Sequence, residues 1–409
     1  AELLRGYGGE LAELMVDEIA KPSSEAEDEV ERTAELIHFY SEEALRMEGE
    51  YLRADVWPGM PMTKKAWVVR VPLGVVAAIV PFNYPVNEAA PKLVAALVTG
   101  NTVVYKPSSQ GAMTSLHLAH IFQEAGLPAG VLNVITGKGE DIGNTLVCHP
   151  LVAAINFTGS TKTAQTICAI APLKKLVFGL SGKDAAIVLK DADIDLAAEQ
   201  IVEGAFAYSG QRCTAIKRVL VEQTIITKLQ TAMIAKLEKT KLGDPRKENT
   251  THGPVISDES AEFIMSLVDD AVEKGAKIIY GGERKGRYIP LTLLDHVDNR
   301  MRIFKEEPFG PVLPLIRVKD VHEAVAVANS SPYGLQGSIF TADLALAMQV
   351  AEKLEVGTVN INGKDSRSPD HFPFLGVKAS GVGVVQGARY LLHEMTRPKV
   401  TVLNLPETE

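Results

Sequence analysis

The sequence is poor in cysteine, in aromatic residues and in positive charge. Only 3 of its 409 residues are cysteine, which excludes a disulfide framework of the kind that holds small secreted domains together. Lysine and arginine total 42 against 51 aspartate and glutamate residues, so the formal net charge is -9. A chain with this charge has no electrostatic means of wrapping nucleic acid or binding an anionic membrane surface. We therefore expect neither partner.

The sequence also lacks an uninterrupted membrane-spanning run. The apolar stretch at residues 71–87 is broken by Pro72, Pro81 and Pro85 and is too short to cross a bilayer as a helix. The first residues include glutamates and no cationic leader, so we expect a cytoplasmic protein. With 46% hydrophobic and 23% charged residues the composition is globular, and the length predicts two or three domains.

Apolar β-rich runs alternate with helical patterns from Val75 onward. The predicted strands lie at 75–81, 102–105, 131–135 and 153–157, and the predicted helices between them at 88–98, 115–125 and 141–147. A second series begins near Ala186 and continues to about Asn360. This alternation predicts an α/β fold with parallel, doubly wound sheets. Ligands of such sheets lie at the carboxyl ends of the strands.

Two further segments, residues 51–71 and 399–405, have strand character and no helical partner. They either pair with each other or pair with a neighbouring subunit through an exposed sheet edge.

The sharpest local feature is Ser-Gly-Gln-Arg-Cys-Thr-Ala at residues 209–215. A loop after an apolar helix could hold the Cys213 sulfur in a cleft, and the adjacent Arg212 would lower the thiol pKa and favour the nucleophilic thiolate. The alternative is a buried structural cysteine. We expect that ordinary role for Cys148 and Cys168.

Polar residues follow several predicted strands. Asn83, between Pro81 and Pro85, could donate a hydrogen bond to an oxyanion, although Asn and Pro also form simple turns. Lys106 could bind a ribose or phosphate, or could be a solvated lysine. The Gly159-Ser160 pair begins a predicted helix and offers backbone N–H groups to a pyrophosphate.

Taken together, these ordered motifs resemble the aldehyde dehydrogenase superfamily over essentially the whole chain. The resemblance rests on Pro-Phe-Asn-Tyr-Pro at 81–85, Lys-Pro-Ser at 106–108, Phe-Thr-Gly-Ser-Thr at 157–161, Gly-Gln-Arg-Cys at 210–213, Glu-Glu-Pro-Phe-Gly-Pro at 306–311 and Phe-Pro-Phe-Leu-Gly at 372–376. Within the superfamily, residues 45–50, 208–218 and 354–359 are most similar to the non-phosphorylating glyceraldehyde-3-phosphate dehydrogenases.

The resemblance implies a role for each matching residue. Cys213 would be the nucleophile that adds to the aldehyde, and Asn83 with the Cys213 backbone N–H would form the oxyanion hole. The implied cofactor is NADP, at Val80, Lys106, Ser109, Gly159, Ser160, Leu180, Glu307 and Phe309. Small, uncharged Ser109 leaves room for a 2′-phosphate, where many NAD-specific members have a glutamate. The implied phosphate-binding residues are Arg32, Tyr84, Arg212 and Arg367.

One departure from the family concerns the last step. Gly179 lies 34 residues before Cys213, where the family has the glutamate that activates water for thioester hydrolysis. Glycine has no group for that task, so deacylation is in doubt. Nothing in the sequence predicts a metal, because His117 and His120 have no third ligand.

The resemblance thus implies NADP-dependent oxidation of glyceraldehyde 3-phosphate to 3-phosphoglycerate. Two alternatives are a coenzyme A-dependent acylating dehydrogenase and a catalytically impaired homologue with a binding or assembly role. The implied fold has a Rossmann-like cofactor domain (1–52 and 72–181), an α/β catalytic domain (182–392) and oligomerisation strands (53–71 and 393–409). An N-terminal family segment would be missing, and a homodimer or homotetramer is expected.

Overall fold

The computed structural model describes residues 1–171, 173–367 and 369–406. In this part of the chain the helices are α1 (Glu2–Gly6), α2 (Gly8–Ile19), α3 (Ser23–Ala44), α4 (Ala89–Val98), α5 (Ala112–Glu124), α6 (Asn144–Cys148), α7 (Thr161–Ile170), α8 (Ile194–Phe206), α9 (Ile226–Leu237), α10 (Asp258–Glu273), α11 (Arg302–Lys305), α12 (Val321–Asn329), α13 (Leu344–Lys353) and α14 (Ala388–Glu394). The strands are β1 (Glu50–Arg53), β2 (Lys64–Pro72), β3 (Val75–Ile79), β4 (Thr102–Lys106), β5 (Leu132–Val134), β6 (Val152–Thr158), β7 (Lys175–Gly179), β8 (Asp184–Val188), β9 (Ile216–Glu222), β10 (Lys277–Tyr280), β11 (Thr292–Asp295), β12 (Val312–Val318), β13 (Tyr333–Gly334), β14 (Gln336–Phe340), β15 (Thr358–Ile361), β16 (Val377–Lys378), β17 (Gly381–Val382) and β18 (Thr396–Asn404).

A six-stranded sheet has the order β17-β7-β6-β3-β4-β5, with β3 to β7 parallel and β17 antiparallel at the edge. Val76, Ala77 and Ala78 of β3 are fully buried, because helices cover both faces of a parallel sheet and an apolar run results. The chain passes from β3 to β4 and β5, then returns to β6 and β7 on the other side. The predicted doubly wound sheet is therefore confirmed, with its switch point between β3 and β6.

A seven-stranded sheet follows, in the order β10-β11-β12-β9-β8-β14-β15. Its strands are parallel except for the β10–β11 pair. Ala186, Ile187 and Val188 of β8 are fully buried, as expected for a central parallel strand. Cys213 lies in the loop between α8 and β9.

The two segments without helical partners pair with each other. Strand β2 lies between β1 and β18, antiparallel to both, with Thr396 opposite Pro72 and Asn404 opposite Lys64. The prediction of strand structure throughout 51–71 is wrong in one respect, because the segment is interrupted between β1 and β2. Pro58, Gly59 and Pro61 lie in that interruption, and proline cannot donate a ladder hydrogen bond. Residues 407–409 of the predicted oligomerisation segment lie outside the described residues.

Within the described residues, no helix has both the length and the apolar character needed to cross a membrane.

Candidate active site

A cavity of about 320 Å³ lies at the carboxyl ends of β3, β6 and β7, and we call it the catalytic cavity. It is lined by Pro81, Phe82, Asn83, Glu88, Thr158, Gly159, Ser160, Leu180, Ser181, Cys213, Glu307 and Phe309. The predicted site residues Asn83, Gly159, Ser160, Leu180, Cys213, Glu307 and Phe309 thus share one cavity. Asn83, Gly159 and Leu180 follow parallel strands whose carboxyl ends meet at one edge of the six-stranded sheet. Cys213, Glu307 and Phe309 reach the same cavity from loops that precede β9 and β12 of the seven-stranded sheet.

The loop before Cys213 has an unusual backbone. Tyr208, Ser209 and Gly210 are consecutive residues in the left-handed region, with φ of 49°, 53° and 71°. Only glycine fits at position 210, because a Cβ there would collide with the Gly310 carbonyl. Side-chain contacts maintain this backbone: the Tyr208 hydroxyl donates to the Ile19 carbonyl at 2.8 Å, and Ser209 Oγ donates to a carbonyl at 2.8 Å. Such strain in a tightly held loop is typical of functional sites.

The Cys213 thiol is not activated as predicted. Burial raises its pKa to about 11; Arg367 and Lys217 partly offset this increase, and Glu88 adds to it. Arg212 does not open onto this cavity: its Nη2 donates to the Gly204 carbonyl, and its side chain lines a different cavity. The expectation that Arg212 lowers the thiol pKa is therefore wrong, because successive residues of the loop point to different sides.

Asn83 is buried beside the Cys213 loop. Its Nδ2 donates one hydrogen bond to the Gln211 carbonyl at 2.8 Å, which leaves its second N–H for another acceptor. The Gln211 side chain is itself anchored, since its Oε1 accepts from the Ile256 N–H at 2.8 Å. The predicted oxyanion donor is therefore held in a defined orientation against the nucleophile loop.

The start of α7 can accommodate a phosphate group. A Cβ at Gly159 would collide with the Phe157 ring, so only glycine fits at this position. Ser160 is the N-cap residue, and its Oγ accepts from the Thr163 N–H at 3.2 Å. The free N–H groups of a helix N-terminus attract anions. Glu307 faces the same cavity, with Lys217 Nζ at 3.1 Å and the Gly182 N–H at 3.3 Å.

Three predicted cofactor residues lie outside the catalytic cavity, at the ends of β3 and β4. The buried Val80 donates its N–H to the Lys106 carbonyl at 3.2 Å, so the two residues are neighbours. Lys106 Nζ donates to the Pro107 carbonyl at 3.1 Å, and burial lowers its pKa. Ser109 is exposed in the following loop.

Gly179 ends β7 and pairs in register with Thr158 of β6. A Cβ placed on Gly179 would lie 3.2 Å from Thr158 Oγ1 and 3.5 Å from the nearest Val385 methyl group. The backbone there is not left-handed, so a side chain needs only a small adjustment of its neighbours.

Three of the four predicted phosphate-binding residues line a second cavity, of about 740 Å³, which we call the substrate cavity. Its lining residues are Glu25, Asp28, Arg32, Tyr84, Glu199, Val202, Glu203, Ala207, Arg212, Lys236, Thr240, Thr251, His252, Lys364 and Ser366. Arg32, Tyr84 and Arg212 therefore line one cavity, and their role in binding a phosphate stays a prediction. Arg367 lines neither cavity, and its guanidinium carbon lies 5.4 Å from the centre of the Tyr84 ring.

Carboxylates already neutralise two of the three arginines. Arg32 Nη2 lies 3.0 Å from both Asp370 carboxylate oxygens, and Arg367 is in close contact with Glu88. Within the described residues Arg212 has no carboxylate at ion-pair distance, and its buried Nε has no hydrogen-bond partner. Its charge still acts on Glu25 of the same cavity, where it partly offsets the increase in pKa that burial causes. Sequence inspection could not reveal this difference, because the partner carboxylates are remote in the chain.

Glu88, Thr158 and Lys217 belong to the site and were missed in the sequence. Glu88 and Thr158 line the catalytic cavity, and Lys217 Nζ donates to the Cys213 carbonyl. A usable signal existed: Glu88 interrupts an apolar segment, and Lys92 follows it at the helical spacing of an ion pair.

The other two cysteines are exposed, so the prediction of a buried role for Cys148 and Cys168 is wrong. Among residues 1–171, 173–367 and 369–406, no group of three or more His, Cys, Asp or Glu side chains has a metal-binding arrangement.

Comparison with known proteins agrees with this geometry. The aldehyde dehydrogenase family profile matches residues 1–401. An NADP-dependent glyceraldehyde-3-phosphate dehydrogenase of Streptococcus equinus is 47% identical over 405 residues, which cover 99% of this chain and 85% of the relative. A 3-sulfolactaldehyde dehydrogenase of Priestia aryabhattai is 40% identical over 405 residues, 99% of this chain and 84% of the relative.

A solved structure has the same fold. The NADP-dependent glyceraldehyde-3-phosphate dehydrogenase of Bacillus halodurans C-125, complexed with NADP, superimposes with a TM-score of 0.97 at 51% identity, covering 99% of this chain and 85% of the other. From the family profile, the sequence identity and this superposition, we conclude that the chain belongs to the aldehyde dehydrogenase family.

Proposed function

We propose that this protein oxidises glyceraldehyde 3-phosphate to 3-phosphoglycerate with NADP. The observation that carries the proposal is that one cavity contains a thiol, an anchored amide and the open N-terminus of α7. The relatives from Streptococcus equinus and Bacillus halodurans, named for this activity, support the same substrate and cofactor.

In the proposed reaction, Cys213 Sγ adds to the aldehyde carbonyl carbon. The second N–H of Asn83 and the Cys213 backbone N–H stabilise the oxyanion of the resulting thiohemiacetal. Loss of hydride from this carbon leaves a thioester on Cys213. Because the resting thiol has a raised pKa, it must lose its proton before or during attack.

NADP is supported by features of both cofactor positions. Gly159, which has no room for a side chain, and Ser160 would hold the pyrophosphate, while Glu307 would hold the nicotinamide ribose. Lys106 would bind the adenosine ribose, and exposed Ser109 leaves space for a 2′-phosphate. When bound, the cofactor supplies the hydride acceptor.

The substrate cavity supports an anionic aldehyde. Arg212 is the cation with spare donors, and Arg32 and Tyr84 lie with it. The lining also includes as many carboxylates as cations, so the net positive charge of the cavity is small; the carboxylates are Glu25, Asp28, Glu199 and Glu203, and the cations are Arg32, Arg212, Lys236 and Lys364. This favours, as a second candidate, a singly charged sulfonate such as 3-sulfolactaldehyde, which names one relative.

The assay is NADPH formation with protein, NADP and each aldehyde, in separate runs with and without coenzyme A. We expect turnover with glyceraldehyde 3-phosphate and far less with unphosphorylated glyceraldehyde. Higher efficiency with 3-sulfolactaldehyde would favour the sulfonate. Turnover only with coenzyme A would favour the acylating alternative, and no NADPH under any condition would favour an impaired homologue.

We propose the predicted division into cofactor, catalytic and oligomerisation segments, and assembly into a homodimer or homotetramer. Residues 397–404 of β18 are exposed and form a sheet edge, which another subunit can cover.

We also propose a cytoplasmic location, which suits three free thiols.

A further inference from the structure

Glu88 brings a buried carboxylate into the catalytic cavity. It occupies the N-cap position of α4, but its side chain does not cap that helix. Instead it lines the same cavity as Cys213, and only 6% of the residue is exposed. A carboxylate in this position needs an explanation, because burying a charge is costly unless it is paired.

Three donors hold the Glu88 carboxylate. Lys92 Nζ donates to Oε2 at 2.8 Å, the Thr158 hydroxyl donates to the same oxygen at 3.0 Å, and Arg367 contacts Oε1. Removing one partner of such a buried pair is strongly destabilising. The carboxylate is therefore held in one orientation and cannot turn away from the cavity without losing these contacts.

Thr158 links Glu88 to the position where the family glutamate is absent. The Thr158 hydroxyl that binds Glu88 lies 3.2 Å from the place a Cβ on Gly179 would occupy. A side chain at 179 would therefore begin beside this hydroxyl. This chain thus lacks an acidic side chain at 179 and has one, Glu88, that accepts a hydrogen bond from the same hydroxyl.

Among the residues that line the catalytic cavity, the other carboxylate is Glu307. It is occupied by Lys217 Nζ at 3.1 Å and by the Gly182 N–H at 3.3 Å, and we have proposed that it holds a ribose. Both carboxylates are therefore paired, and because Glu307 is proposed to hold the ribose, Glu88 is the carboxylate of this lining that is left to act on the acyl group of Cys213.

Building on the proposed function, we propose that Glu88 is the general base that hydrolyses the thioester on Cys213 in place of the family glutamate. Water attacks the thioester carbonyl carbon and transfers a proton to the Glu88 carboxylate. The C–S bond then breaks, its electron pair returns to Sγ as thiolate, and the product leaves as a carboxylic acid that ionises. No redox change occurs in this step.

The surroundings of Glu88 set its strength as a base. Burial alone would raise its pKa, but Lys92 and Arg367 outweigh that effect and lower it to about 2. The carboxylate is therefore ionised throughout the physiological range but is weaker than an ordinary glutamate. General-base catalysis is most effective when the pKa lies near the working pH, so hydrolysis should occur at a modest rate.

The test uses p-nitrophenyl acetate, which acetylates a reactive thiol without aldehyde or cofactor. The decay of acetyl-Cys213 is then followed by intact-protein mass spectrometry in water. We expect Glu88→Gln to slow this decay at least tenfold, with each decay rate normalised to the acetylated fraction that the variant reaches, because loss of the Glu88 charge also alters the reactivity of the thiol. Glu394→Gln, in which a lysine-paired carboxylate outside the cavity is neutralised, should decay like the unmodified protein.

Two further variants complete the test. Adding Gly179→Glu to Glu88→Gln should restore the decay, because it returns a carboxylate to the same hydroxyl. If Glu88→Gln does not fold, Glu88→Asp keeps the charge but withdraws the carboxylate by one methylene, and the decay should still slow several-fold. Equal decay rates in the unmodified protein and either folded Glu88 variant would overturn the proposal.

Decay that requires coenzyme A in the unmodified protein would also overturn it. Neither outcome depends on the aldehyde, so the proposed substrate can fail while this proposal stands. Conversely, NADPH formation from glyceraldehyde 3-phosphate would support that substrate even if Glu88 proves irrelevant.

Discussion

The two ends of the site are built differently. At the cofactor end, Val80, Lys106 and Gly159 follow or end neighbouring strands of one parallel sheet. At the substrate end, Arg32 comes from α3 and Arg367 from a loop more than 300 residues later. The cofactor end is built mainly from backbone at strand ends, whereas at the substrate end Arg32 and Arg367 already have carboxylate partners and Arg212 does not.

This difference shows which kinds of site residue can be predicted from local motifs. Sheet geometry fixes where each strand end lies, so a motif recognised at a strand end also predicts where its residues lie in the fold. The function of an arginine depends on which carboxylate reaches it, as Asp370 reaches Arg32 and Glu88 reaches Arg367. The following experiments test this contrast, from the largest expected effect to the smallest.

Replacing the Cys213 thiol should have the largest effect. Cys213→Ser should abolish both the NADPH burst and steady turnover, because serine is a far weaker nucleophile in a cavity without a nearby histidine base. Stopped-flow absorbance checks both phases. Cys148→Ser and Cys168→Ser, at exposed sites, are the matched controls and should keep both. A full NADPH burst in Cys213→Ser would exclude Cys213 as the nucleophile.

The arginines of the substrate end should be unequal. Arg212→Gln should lower kcat/KM for glyceraldehyde 3-phosphate about tenfold to 30-fold, since losing a buried charged partner costs about 2–5 kcal/mol and half-buried Arg212 should lie at or below the lower end of that range. Arg32→Gln should have a smaller effect, because Asp370 already neutralises that guanidinium. Unphosphorylated glyceraldehyde, measured in parallel, should respond weakly to both changes. A greater loss in Arg32→Gln would contradict the charge assignment.

The reactivity of the thiol should depend steeply on pH in the cofactor-free protein. Burial raises the pKa of Cys213 to about 11, so between pH 7 and pH 9 the thiolate fraction rises about tenfold per unit. The rate of iodoacetamide alkylation of Cys213, followed by peptide mass spectrometry, should rise accordingly. A plateau reached by pH 8 would mean that Arg367 and Lys217 outweigh burial.

A change at the cofactor end should alter cofactor preference without affecting the thiol. Ser109→Glu should shift the ratio of kcat/KM for NADP over NAD several-fold towards NAD, because a carboxylate repels the 2′-phosphate. Ser109→Gln, of similar size and without charge, is the control and should shift the ratio less. The burst amplitude with saturating NAD reports whether Cys213 is unaffected. A preference for NAD in the unmodified protein would exclude the proposed cofactor.

Much of the fold followed from the sequence. The alternation of apolar and helical patterns predicted β3, α4 and β4 to within a few residues, because burial on both faces leaves an apolar run that is easily recognised. The break between β1 and β2 was missed, although Pro58 and Pro61 mark it. The site was predicted less completely: the strand-end residues share a cavity, but Glu88 was not predicted, and Arg212 and Cys213 open onto different cavities.

The sequence by itself determined the α/β architecture, the family and the nucleophile loop, because these depend on periodicity and on contiguous motifs. Only the tertiary structure decided which charges are free, how burial acts on the Cys213 thiol, and that a carboxylate faces the cavity where Gly179 has none. The reason is physical. Pairing and desolvation depend on distances between residues remote in the chain, such as Glu88 and Arg367, and no local pattern encodes those distances.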